Sequence, residues 1–256
     1  MGRPFCVLGK TRDCDLDRTM NNLTYALLLA TFAGLAMPLG GLLARYEHVR
    51  DRRIQSRLVH SVTAFGGGAL LSAVALVLVP RGAEALPVTF AIPLLLVGGF
   101  GFYIVDKILA RAGGSGALLL AMLLDFLPEA MALGALLTTE AATAKLLAAM
   151  IFLQNLPEGF SAFREIWSRG QAPGWQILLI FIGLAALGPL CATVGFHFLS
   201  TDPETLGAIM IFAAGGILYL LFQDIAPEAH VEGDWSPALG AVCGFALGLA
   251  GDMIIG

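Results

Sequence analysis

Two five-residue units place oxygen-bearing side chains at helical spacing inside apolar runs. They are Asp125-Phe126-Leu127-Pro128-Glu129 and Gln154-Asn155-Leu156-Pro157-Glu158. Positions i and i+4 lie on one helix face. Each unit therefore offers two ligands, Asp125 with Glu129 and Gln154 with Glu158, to a single point. A carboxylate near the centre of a bilayer costs about 2.5–3.5 kcal/mol on insertion scales. Three acids at that depth need neutralising, and carboxylate and amide oxygens are the ligands that suit hard divalent cations.

The elements that must hold these residues are membrane helices. Of the 256 residues, 57% are hydrophobic and 13% charged; a soluble domain carries about 25% charged residues. Eight runs reach the length of about 20 mostly apolar residues that a helical span requires, roughly 23–44, 59–79, 88–109, 117–137, 144–163, 175–198, 205–226 and 237–255. The strict alternation of a membrane β-barrel is absent. The expected fold is an all-α integral membrane protein, an eight-transmembrane-helix bundle in the cell (inner) membrane. Residues 23–256 would form a single domain, and residues 1–22 a disordered tail or an over-called start.

Basic residues set the orientation. Arg45, Arg50, Arg52, Arg53 and Arg57 follow the first span, Lys107 and Arg111 the third, and Arg164 and Arg169 the fifth. The opposite loops hold Arg81 and Lys145. Positive residues stay cytoplasmic, which puts both termini outside. The first apolar run reads as a retained span, not a cleaved signal. Cys191 and Cys243 sit alone in apolar spans and read as small hydrophobes. Cys6 and Cys14 fall in the tail.

At a rise of 1.5 Å per residue, Asp125 and Glu129 in the fourth span and Gln154 and Glu158 in the fifth all reach mid-membrane. A short loop makes the two spans antiparallel neighbours, so the two sets meet at one depth. Pro128 and Pro157 are expected to kink the helices and free a backbone carbonyl in each. Asp224, Glu228 and His230, near the cytoplasmic end of the seventh span, could receive a departing cation. His197 reads as a packed or interfacial residue, Asp106 and Lys107 as interface markers, and Asp252 as a helix-end acid. The stripe Gly240, Gly244 and Gly248 reads as tight helix packing, with a homodimer seam as the alternative.

Gln154-Asn155-Leu156-Pro157-Glu158-Gly159 resembles the fifth-span motif of the ZIP (Zrt/Irt-like) divalent-metal transporters, in particular their bacterial branch. Ala64-Phe65-Gly66-Gly67-Gly68-Ala69-Leu70-Leu71, Phe212-Ala213-Ala214-Gly215-Gly216, Gln223-Asp224-Ile225-Ala226-Pro227-Glu228-Ala229-His230 and Gly244-Phe245-Ala246-Leu247-Gly248 are similar to the family's second, seventh and eighth spans. The resemblance covers residues 23–256. It implies a transport site between the fourth and fifth spans, often with two adjacent metals. The first metal position would fall to Asp125, Glu129, Gln154 and Glu158, and the second would keep Asn155 as a weaker ligand with two shared carboxylates. The fourth span departs from the family's His-Asn-x-Pro-Glu, with Asp125 for His and Phe126 for Asn. In the sixth span, Gly188-Pro189 stands where the family has Glu-Pro. The expectation is one transported metal, with Zn²⁺ first and Mn²⁺ or Fe²⁺ close behind, because an all-oxygen set weakens the preference for Zn²⁺.

The expected function is transport of that divalent metal into the cytoplasm. The chain would have no prosthetic group and no enzyme activity. Its partners would be the metal ion and membrane lipid, with no nucleic acid. An intramembrane hydrolase and a non-transporting homologue are the competing readings. Against the hydrolase, Asp125 has no second Asp at equal depth, and His48, His60, His197 and His230 all sit in loops or at span ends.

Overall fold

The structure, a computed structural model, describes residues 11–48, 51–112, 115–231 and 233–255. Among them, eight long helices follow in chain order: α1 Thr11–Tyr46, α2 Arg53–Ala85, α3 Val88–Ala112, α4 Ser115–Thr139, α5 Ala141–Ser168, α6 Gly174–Leu199, α7 Pro203–Glu228 and α8 Leu239–Ile255. The first seven are long and apolar enough to cross a membrane, and α8 is a shorter apolar helix. Its 17 residues reach about 25 Å at 1.5 Å per residue. Helix α1 already starts at Thr11, inside the stretch read as a tail. The remainder of that stretch, residues 1–10 with Cys6, lies outside the described residues.

Helix starts have local causes. Asp51 caps α2, its side chain accepting the backbone N–H groups of Arg53 (2.8 Å) and Ile54 (3.3 Å). Asp202 caps α7 through the N–H of Thr205 at 3.0 Å, with Pro203 at the first helical position, where its missing N–H costs nothing. The hydroxyl and N–H of Thr205 hold the Asp202 carboxyl below the ordinary carboxylate range.

Helices α1, α4, α5 and α6 pack on one another, and α2 and α3 pack against α8 and α7 respectively. Helix α2 also lies along α5 and joins the two groups. Glycines set the closest approaches. A side chain on Gly40 or Gly159 would run into the partner backbone between α1 and α5. Gly240, Gly244 and Gly248 meet Ser61, Phe65 and Ser72, so this stripe is spent on packing α8 against α2 within the chain.

The two prolines leave α4 and α5 unbroken: both remain helical through Pro128 and Pro157. The irregular turns lie elsewhere. One-turn π segments occur at Val74–Leu78 in α2, Gly195–Leu199 in α6 and Leu221–Ile225 in α7. Such bulges often accompany functional sites, and the third contains Asp224.

Candidate metal-translocation site

Helices α4 and α5 bring the two polar units together. The amide of Gln154 donates to Glu129 Oε2 at 2.6 Å, across the two helices. Asp125, Glu129, Gln154 and Asn155 are buried, with 4%, 0%, 3% and 0% of their surfaces exposed. Asp125 Oδ1 accepts the N–H of Phe126 at 2.7 Å, and Asn155 Nδ2 donates to Ala33 O of α1 at 3.3 Å. Glu158, one turn beyond Gln154, is close enough to Asp125 and Glu129 for the three carboxylates to act on one another electrostatically.

The hydrogen bonds leave a shortfall. Glu129 Oε1, Gln154 Oε1, Asn155 Oδ1 and Glu158 Oε2 are buried with no hydrogen-bond partner. Buried polar atoms are nearly always partnered, and leaving one unpaired costs about 1–3 kcal/mol. Four acceptors without a donor, contributed by two adjacent helices, make a region that attracts positive charge. Among the described residues, no three His, Cys, Asp or Glu side chains already converge as a finished metal cage. A bound cation would have to draw these oxygens inward.

A cavity of about 400 Å³ leads to this region. Asp125, Gln154, Pro157 and Glu158 line its depth, and Asp106, Glu165, Arg169, Asp224 and Glu228 line the part toward the basic end of the bundle. Glu129 is not among the lining residues and lies behind Gln154. Gly66 of α2 makes room for the ring of Pro157 in α5, since a side chain there would meet Pro157 Cγ at 2.8 Å. Thr63 and Ser161 line the cavity side by side, their hydroxyls hydrogen-bonded at 2.9 Å.

The side facing α1 and α6 is closed. The fully buried Phe126 ring rests on two glycines: a Cβ on Gly188 would come within 2.6 Å of its Cζ, and one on Gly34 within 3.1 Å. The ring therefore fills the space between α1, α4 and α6, beside the chain segment that receives the Asn155 hydrogen bond.

A family model described as ZIP zinc transporter matches residues 115–255, more than half of the chain. The chain belongs to the ZIP family. Membership makes it a membrane metal-ion transporter and agrees with a non-enzymatic role. None of the curated proteins compared matches it.

Within the ZIP chain the expected residues fare differently. Asp125, Glu129, Gln154 and Glu158 come together, and Asp224 and Glu228 line the cavity that reaches Asp125, Gln154 and Glu158, whereas Asn155 turns its amide N–H to Ala33 O of α1. His230 does not. It follows the end of α7, is exposed and stays outside the lining. His60 of α2 takes the place beside Glu228, its Nδ1 against the Glu228 carbonyl. Asp106, read as an interface marker, instead lines the cavity and accepts the hydroxyl proton of Tyr219 at 2.8 Å. Glu165, paired with Arg169 at 2.7 Å, was not singled out from sequence at all. Its i, i+4 partner and its helix-end position resemble an ordinary surface pair. His197 is exposed in the π turn of α6, its ring edge-on to Phe196.

Proposed function

We propose that this ZIP protein carries one divalent cation at a time through an oxygen-only centre made by Asp125, Glu129, Gln154 and Glu158, with Asn155 contributing more weakly. The observation that carries the reading is the set of four buried oxygens without partners, on Glu129, Gln154, Asn155 and Glu158. A divalent cation satisfies several such acceptors at once and offsets the charge of the carboxylates. The oxygen set accepts Mn²⁺ and Fe²⁺ readily, while Zn²⁺ also binds carboxylates. Zn²⁺ is placed first because the matched family is one of zinc transporters.

The Phe126 ring on Gly34 and Gly188 supports a single ion, since the space beside Asn155 is apolar and filled. The cavity supports movement toward the basic end. Asp224, Glu228, Asp106 and Glu165 provide acidic groups between the centre and that face. With eight spans and both termini outside, the basic end is cytoplasmic and transport is uptake across the cell membrane. Asp224 and Glu228 then act as exit residues. Exposure of the centre alternates between the two faces, driven by the ion gradient or the membrane potential.

Uptake by proteoliposomes tests the proposal. The parent accumulates ⁶⁵Zn²⁺ or Mn²⁺, and Glu158→Gln in the same lipid does not. Equal accumulation by the two would show that Glu158 is not a ligand, and no accumulation by a folded parent would remove the transport reading.

A further inference from the structure

At the end of the bundle away from the cavity mouth, one arginine ties the two helix groups together. Arg81, near the end of α2, places Nη2 at 2.8 Å from Glu140 Oε2 and at 3.2 Å from Thr143 Oγ1. Its Nη1 lies 3.1 Å from Glu84 Oε2. The Thr143 hydroxyl donates in turn to Glu140 Oε2 at 3.0 Å. Glu84 belongs to α2, whereas Glu140 and Thr143 form the start of α5. The network thus crosses from the α2, α3, α7, α8 group to the α1, α4, α5, α6 group. Two other ion pairs, Arg164 with Glu47 and Arg57 with Asp234, each remain within one group.

The position of Glu140 carries a second indication. It is the N-cap residue of α5, where a side-chain oxygen ordinarily accepts one of the helix's unpaired N–H groups. Glu140 makes no such cap. Its carboxylate instead meets Arg81 and the Thr143 hydroxyl. The arginine is partly exposed, at 34% of its side chain, so water can compete for it.

We propose that Arg81 is a positioning residue for transport: with Glu140 and Thr143 it latches the two helix groups shut at the end opposite the cavity mouth, and this latch opens when the centre turns toward that end. This rests on the reading that exposure alternates between the faces. The guanidinium pairs with both Glu84 and Glu140 while that end is closed and offsets one of their two charges. Opening frees the Glu140 carboxylate at the mouth through which a cation would then enter, while Glu84 stays paired with Arg81 on α2.

The test uses Met150, which is 1% exposed and whose Cε lies 3.4 Å from where a Cβ on Gly248 of α8 would sit. It lies between the two groups, one helical turn from Gln154 toward Arg81, and does not line the cavity. Met150→Cys is placed in the full chain with Cys6, Cys14, Cys191 and Cys243 replaced by alanine, in lipid nanodiscs. Labelling by a water-soluble maleimide is then timed. An exposed ion pair contributes about 0.2–1 kcal/mol, so Arg81→Gln and Glu140→Gln should each speed labelling by roughly 1.4- to five-fold. The exchanged pair Arg81→Glu with Glu140→Arg should bring the rate back toward the parent's, which a loss of general stability would not do. If one neutralised variant does not fold, the other carries the same test. Unchanged labelling in a folded neutralised variant, or no recovery in a folded exchanged pair, overturns the latch. Labelling requires no metal, so failure of the metal-site reading would appear separately, as absent metal binding.

Discussion

Gln154 Nε2 donates one hydrogen bond of 2.6 Å to Glu129 Oε2, and the Gln154 amide oxygen and the other Glu129 oxygen are both buried without a partner. The amide N–H positions the carboxylate while both spare oxygens remain available to a cation. Replacing Gln154 by Leu removes the donor and one proposed ligand oxygen together. Glu129 then has no donor in a fully buried position, a loss of about 1–3 kcal/mol. The expected result is a lower melting temperature in the absence of metal and a smaller rise when Zn²⁺ or Mn²⁺ is added. Differential scanning fluorimetry with and without metal measures both.

Phe126 and Gly188 fit each other by size. Gly188→Ala adds a Cβ within 2.6 Å of the ring and should cost about 1–3 kcal/mol through overpacking. Phe126→Leu in the same chain shortens the side chain and should recover part of that loss. A double-mutant cycle on thermal stability reads the coupling. Strict additivity of the two changes would show that the ring is not seated there.

The metal preference should depend on Asp125. Exchanging it for His introduces an imidazole, which favours Zn²⁺ over Mn²⁺ relative to an oxygen set. Competition between the two ions for the purified protein should show the Asp125→His variant shifted toward Zn²⁺. An unchanged ratio would place Asp125 outside the ligand set.

Asp224 and Glu228 line the cavity toward the basic end, away from the buried oxygens. Asp224→Asn with Glu228→Gln should slow uptake while leaving equilibrium binding at the centre within about two-fold, because each carboxylate acts along the path and not at the site. Parallel uptake and binding measurements separate the two effects.

The clustering of Asp125, Glu129, Gln154 and Glu158 was legible in sequence because these side chains repeat at i and i+4 within single helices, where spacing alone decides which of them share a face. The cavity's lower wall was not. Asp106 and Glu165 come from two helices, and only their packing gathers them with Asp224 and Glu228; His60, outside this lining, meets the Glu228 carbonyl from a third helix. His230 was misplaced for the converse reason. It follows Glu228 closely in sequence, but α7 ends at Glu228 and the chain turns away. The kinks expected at Pro128 and Pro157 did not interrupt the helices. A missing N–H removes one hydrogen bond, and packing on both sides of α4 and α5 preserves the rest. The seat of Phe126 was readable only as a departure from the family pattern, since the match between its ring and Gly34 and Gly188 joins three helices.

Metal content measured directly on purified protein tests the central claim most plainly. The parent, saturated with Zn²⁺ or Mn²⁺ and freed of excess ion, should retain one ion per chain by inductively coupled plasma mass spectrometry. The Asp125→Ala with Glu158→Ala variant, folded by circular dichroism, should retain none. No ion on the folded parent, or equal ion content in the two, would contradict a single cation centre between α4 and α5.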